Sequence, residues 1–172
     1  MIKSPYAITM WDFSWLERRW PGAGYEDWDR ALDELLERGY NAVRIDAFPH
    51  LVGRDPGKSW ILDPLWDCHD WGAPCPVEVT PGPALIEFIE ACASRKIRVL
   101  LSTWFRKERN RVDRWIPTPE AHAELWVKTI GHIDAAGLLE TVIGVDLCNE
   151  WPIKLFAPFY PGEGHLMEAT SI

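Results

Sequence analysis

The residues with the clearest chemical potential close the fourth apolar run of the chain, Val145-Asp146-Leu147-Cys148-Asn149-Glu150-Trp151-Pro152. A glutamate works as a general acid when its surroundings lift its pKa from near 4.3 towards about 6–7. Trp151 and the apolar run would be the source of desolvation, and a second carboxylate nearby would add to the lift. Asn149 offers an amide to a hydroxyl. Arg44 stands inside another apolar run, Asn41-Ala42-Val43-Arg44-Ile45. A buried guanidinium requires a carboxylate. That partner is either structural, Asp46 or another interior acid, or part of a reactive centre. Trp11, His50, Trp104 and Trp151 lie at or just past the ends of apolar runs, where side chains can face a ligand.

Four runs must position these groups. Residues 6–12 are strand-like and lead through Pro21, Gly22 and Gly24 into a helix from Trp28 to Arg38 that Gly39 caps. Residues 41–48 form the second strand, and a loop rich in Pro, Gly, Trp and Asp follows from Pro49 to about Gly82. Leu85, Phe88, Ile89 and Cys92 mark a second helix, ending near Lys96; residues 97–104 read as a strand buried on both faces. Thr118-Pro119 opens a third helix, cap then first-turn proline, which stops at Gly137; residues 141–147 are the fourth strand. Trp28 and Trp126 fall at helical spacing and are packing residues, whereas Trp20, Trp60, Trp66, Trp71 and Trp115 fall in loops.

Alternating buried strands and helices predict an α/β fold with a parallel sheet and right-handed crossovers. The long aromatic-rich segments all follow strands, and the returns from helix to strand are short. That asymmetry predicts a (β/α)₈ TIM-type barrel, whose active site is built from the loops after the strands. No glycine-rich phosphate loop follows the first strand, which counts against a dinucleotide fold. Strands start about 45 residues apart, so eight would need roughly 300 residues or more. The expectation is a half-barrel of four βα units.

Asn149-Glu150 at the end of strand four resembles the acid/base motif of the retaining (β/α)₈ glycosidases of glycoside hydrolase clan A. Gly39-Tyr40-Asn41-Ala42-Val43-Arg44-Ile45 resembles the second-strand segment of its cellulase-like members, family 5 among them. The resemblance implies a single catalytic domain of which residues 1–172 are the N-terminal half, a β-glycosidase acting on oligo- or polysaccharide. It makes Glu150 the general acid/base and Arg44 the residue that holds the nucleophile ionised. It places the nucleophile on strand seven, and no residue here matches that position. It also departs at strand three, where such enzymes often end in His and this chain reads Leu101-Ser102-Thr103-Trp104. Arg44, Asn149, Trp11, His50, Trp104 and Trp151 are the expected substrate-binding residues. The eleven tryptophans among 172 residues suit a sugar, whose apolar faces an indole covers while polar groups hold the hydroxyls.

Composition narrows the partners. Eighteen Lys and Arg against 26 Asp and Glu give a net charge of −8, which argues against nucleic acid or an anionic membrane. No apolar run is long enough to span a bilayer, and the N-terminus lacks a secretory signal, so the expected location is cytoplasmic. The four cysteines are then expected as thiols rather than a Cys68–Cys75 disulfide. Asp67, Cys68, His69, Asp70 and Cys75 match no standard zinc spacing, and neither metal nor cofactor is expected. Lys107 and Lys154 sit in loops, which disfavours Schiff-base chemistry of the aldolase kind. The competing reading is a non-catalytic carbohydrate-binding or structural half-barrel. Its open strand edges would pair with the remaining half of the barrel or with a second copy.

Overall fold

Four short apolar stretches lie side by side as a parallel sheet in the computed structural model, which describes residues 5–12, 14–65 and 72–150. They are β1 (Ile8–Asp12), β2 (Ala42–Asp46), β5 (Arg98–Ser102) and β6 (Val142–Val145), in the order β1-β2-β5-β6. Each neighbouring pair is parallel, with Ala42 opposite Arg98, Asp46 opposite Ser102 and Leu101 opposite Val145. The C-terminal strand ends therefore line up along one edge of the sheet. Helices alternate with these strands, so the architecture is that of a partial (β/α) barrel. Among the described residues no strand pairs with the outer edge of β1 or of β6.

The helices start and stop where their polar residues dictate. In α2 (Trp28–Glu37), Asp27 accepts a hydrogen bond from the Arg30 N–H at 3.0 Å, which satisfies one open donor of the first turn. Gly39 ends that helix with φ at +85°, a conformation costly for any residue with a Cβ. In α5 (Pro119–Ala135), Thr118 accepts from the Ala121 N–H at 3.2 Å. Between them, α4 (Pro81–Ser94) packs Phe88 against Trp28 and Trp15, with ring centroids 5.2 and 5.1 Å apart. Trp28 and Trp126 are buried, as their spacing predicts. Trp126 also donates from its indole N–H to the Leu147 carbonyl at 3.2 Å, tethering the segment after β6 to α5.

The segments read as loops hold more order than their composition announces. A turn of helix, α1 (Ser14–Glu17), follows β1, and α3 (Pro49–Val52) follows β2. Two three-residue strands, β3 (Trp60–Leu62) and β4 (Val77–Val79), pair antiparallel as a second small sheet. Elements this short carry too few residues for any periodicity to stand out. Glu17 on α1 and Arg106 after β5 form a bidentate ion pair at 2.6 and 2.7 Å with both side chains buried, and Arg106 also donates to the Asp63 carbonyl at 2.9 Å. The loops after the strands are thus locked to one another. No described helix is long and apolar enough to cross a membrane.

Candidate active site

The strand ends gather polar side chains that the apolar runs cannot absorb. Arg44, in the middle of β2, sends its guanidinium towards the end of β6, where it pairs with Asp146. The same Nη2 donates to Ser102 Oγ at 3.1 Å and to Asn149 Oδ1 at 3.1 Å. Ser102 Oγ in turn donates to Asp146 Oδ2 at 2.9 Å. Trp104 lies against this cluster with its ring centroid 4.9 Å from the guanidinium carbon, a cation–π contact. The structural partner of Arg44 is therefore Asp146, not the adjacent Asp46. Asp46 is enclosed instead, accepting from the Phe48 N–H at 2.7 Å and the Trp104 N–H at 2.9 Å. Burial lifts its carboxyl to about 7, although both N–H groups favour the ionised form.

Asn149 is buried, its backbone N–H bound to the Thr103 carbonyl at 2.9 Å and its Oδ1 to Arg44. Its Nδ2 carries no hydrogen bond among the described residues, which leaves two donors for a ligand. Glu150 follows directly, exposed and held at a φ of +51°. For a glutamate this left-handed conformation is strained, and strain of that kind concentrates at functional sites. Cys148, beneath the cluster, is buried, and its thiol is pushed far up by desolvation and then by Asp146, Asp46 and Glu150, with Arg44 opposing.

The structure thus brings Arg44, Asn149 and Trp104 into one contact set with Glu150 beside them. His50 is placed differently. It sits on α3 with no exposed surface, its Nε2 2.8 Å from the Arg106 carbonyl and its ring 5.7 Å from that of Phe105. The side chain of Trp11 lies outside the described residues, as do Trp151, Trp66, Trp71, Asp67, Cys68, His69, Asp70 and Lys154. Cys75 is a free, exposed thiol. Asp146 and Ser102 are the cluster residues that sequence reading did not single out. Their signal was present, a polar residue at the end of each of two apolar strands.

A parallel sheet alternating with helices, with its charged groups gathered at the C-terminal strand ends, fits the barrel class of α/β protein. The chain belongs to the sugar-binding cellulase-like family, whose pattern it matches over residues 8–170. A crystal structure of a putative glycoside hydrolase from Parabacteroides distasonis is 55% identical, with a TM-score of 0.87 over 91% of this chain. The match covers 41% of that protein, so the chain spans about two fifths of the relative's length. No curated protein matches it.

Proposed function

We propose that this chain is the N-terminal half of a single retaining β-glycosidase domain acting on oligo- or polysaccharide, with Glu150 as its general acid/base. The observation that supports the reading is the hydrogen bond from Arg44 on β2 to Asn149, the residue before Glu150, at the C-terminal strand ends. Glu150 would protonate the glycosidic oxygen as the bond to the anomeric carbon breaks, then take a proton from the water that resolves the intermediate. Asn149 Nδ2 would donate to a sugar hydroxyl, a contact that strengthens as the ring approaches the transition state. Arg44 lies beside it, backed by the buried Trp104. The nucleophile, about 5–5.5 Å from the acid in retaining enzymes, would come from a strand beyond the four described. The partners on this reading are a carbohydrate substrate and, at the edges of β1 and β6, the remaining strands or a second copy.

One observation favours the competing, non-catalytic reading. The Arg44 guanidinium that would orient a nucleophile is engaged by Asp146 and Asn149. Hydrolysis by a longer chain carrying all eight strands separates the two. Glu150→Gln should lower turnover of substrates with poor leaving groups by about 10²–10⁴-fold and that of activated aryl glycosides much less. Equal turnover of the poor leaving group by variant and wild type would return the chain to a binding or scaffold role. The 172-residue chain alone should bind sugar weakly and turn over negligibly.

A further inference from the structure

Trp15, Trp28, Trp60, Trp104 and Trp126 are buried and Trp20 is half-buried, whereas Trp115 is 62% exposed. Trp115 closes a 3-10 turn, Val112–Trp115, and edges a cavity of about 320 Å³ between α3 and α5. The cavity shares no lining residue with the Arg44 cluster. Part of its wall is bare backbone. Gly53 approaches α5 so closely that a Cβ there would stand 2.5 Å from the Leu125 carbonyl oxygen. Arg54 donates to the Trp115 carbonyl at 3.1 Å, and its guanidinium carbon lies 5.8 Å from the ring centroid. Across the opening, Glu124 and Lys128 lie one turn apart on α5, both exposed and without a hydrogen bond or ion pair among the described residues.

An exposed apolar plane, an unengaged carboxylate and an unengaged ammonium are the parts that recognise a pyranose. The plane covers the C–H face, the carboxylate accepts from hydroxyls, and the ammonium donates to ring and hydroxyl oxygens. Glu124 and Lys128 offset each other in charge, so a neutral sugar suits them better than a polyanion. The volume lies at the small end of ligand sites, roughly 300–1,000 Å³. We propose that Trp115, Glu124 and Lys128 form a second carbohydrate-binding site, holding one or two neutral sugar units on the outer face of the barrel. It would keep a stretch of polysaccharide beside the strand-end site. The ligand class rests on the carbohydrate reading above; the geometry does not.

The indole N–H resonances of the 172-residue chain, assigned by single Trp→Phe replacements, give the test by titration with cellohexaose, xylohexaose and mannohexaose in turn. The Trp115 resonance should shift saturably with at least one of them. Glu124→Ala and Lys128→Ala should each raise that Kd about five- to tenfold, the size of one lost hydrogen bond, and Arg44→Met should leave it unchanged. Trp115→Ala, at an exposed position, should abolish binding at this site with the fold intact by circular dichroism. A Trp115 resonance that stays still while Trp104 shifts would overturn the second site and leave the strand-end reading standing. Shifts at Trp115 that Glu124→Ala and Lys128→Ala do not weaken would overturn it as well. No shift at any indole with any of the three sugars would overturn both.

Discussion

Arg44 on β2 reaches over the whole width of β5 to pair with Asp146 at the end of β6. Neighbouring strands stand about 4.8 Å apart, so the ion pair bridges roughly two strand spacings. Ser102 on the intervening strand bonds both partners. One guanidinium thereby ties three strand ends and the turn that carries Asn149 and Glu150.

Removing that tie should loosen the fold at the site end. Both partners are partly exposed, so Arg44→Met is expected to cost about 1–3 kcal/mol. Arg44→Lys, with a point charge in place of the fork, should recover less than half of that loss. Urea midpoints at constant m read the change directly. An Arg44→Met midpoint equal to wild type would mean the pair does not hold the strand ends together.

The Glu17–Arg106 pair should behave more steeply, because water reaches neither partner. Side-chain exposures of 0% and 1% leave Glu17 with a buried, uncompensated charge in Arg106→Met, at a cost of about 3–5 kcal/mol. Glu17→Leu combined with Arg106→Met removes both charges and should cost well under the sum of the single changes. A double-mutant cycle giving additive losses would contradict this.

Two buried titrations should oppose each other below neutral pH. Asp46, held near pKa 7 against an ordinary 3.8, keeps its proton in the folded chain after the unfolded chain has lost it. Its contribution to stability is full below pH 3.8 and falls as pH rises to about 7. His122, held down at about 4 by burial and the nearby His50, stays neutral when folded, so its contribution is full above pH 6.5 and is lost as pH falls to about 4. Each slope is at most about 1.4 kcal/mol per pH unit. Asp46→Asn should leave a stability that rises with pH between about 4 and 6.5, and His122→Leu one that falls. Denaturant unfolding at a series of pH values measures both, and three parallel curves would contradict the assignment.

Backbone strain at Glu150 predicts a trade between stability and the proposed chemistry. Glycine adopts a φ of +51° freely, so Glu150→Gly should raise stability by about 1 kcal/mol while deleting the carboxyl. Glu150→Gln deletes the same charge but keeps the strain, and should melt with the wild type. Thermal unfolding of the two variants side by side separates backbone from charge.

The helices and buried strands were legible in the residues because their signals are local. Thr118 announces a helix start, Gly39 and Gly137 announce ends, and the apolar runs at 41–48 and 97–104 enclose the observed β2 and β5. The pieces missed were short or unusual in composition. The turns α1 and α3 and the strands β3 and β4 span three or four residues each, and tertiary contacts such as Glu17 with Arg106 hold them.

The site divided along the same line. Asn149-Glu150 after an apolar strand, and a lone Arg44 inside one, could be read from chain order together with residue type. Which acid Arg44 would take could not. Asp46 is two residues away and Asp146 is 102, yet the nearer one turns to the Phe48 and Trp104 N–H groups and the distant one takes the guanidinium. Chain order alone does not say which strand ends meet. That His50 would be enclosed by its neighbours, and Trp115 left in water, was likewise undecided until helices and loops packed, since both occupy similar loop positions in the sequence. Hydrophobic period and capping act over a few residues and are written in the chain. Ion-pair choice and exposure depend on which surfaces the fold brings together, and only the tertiary structure settles those.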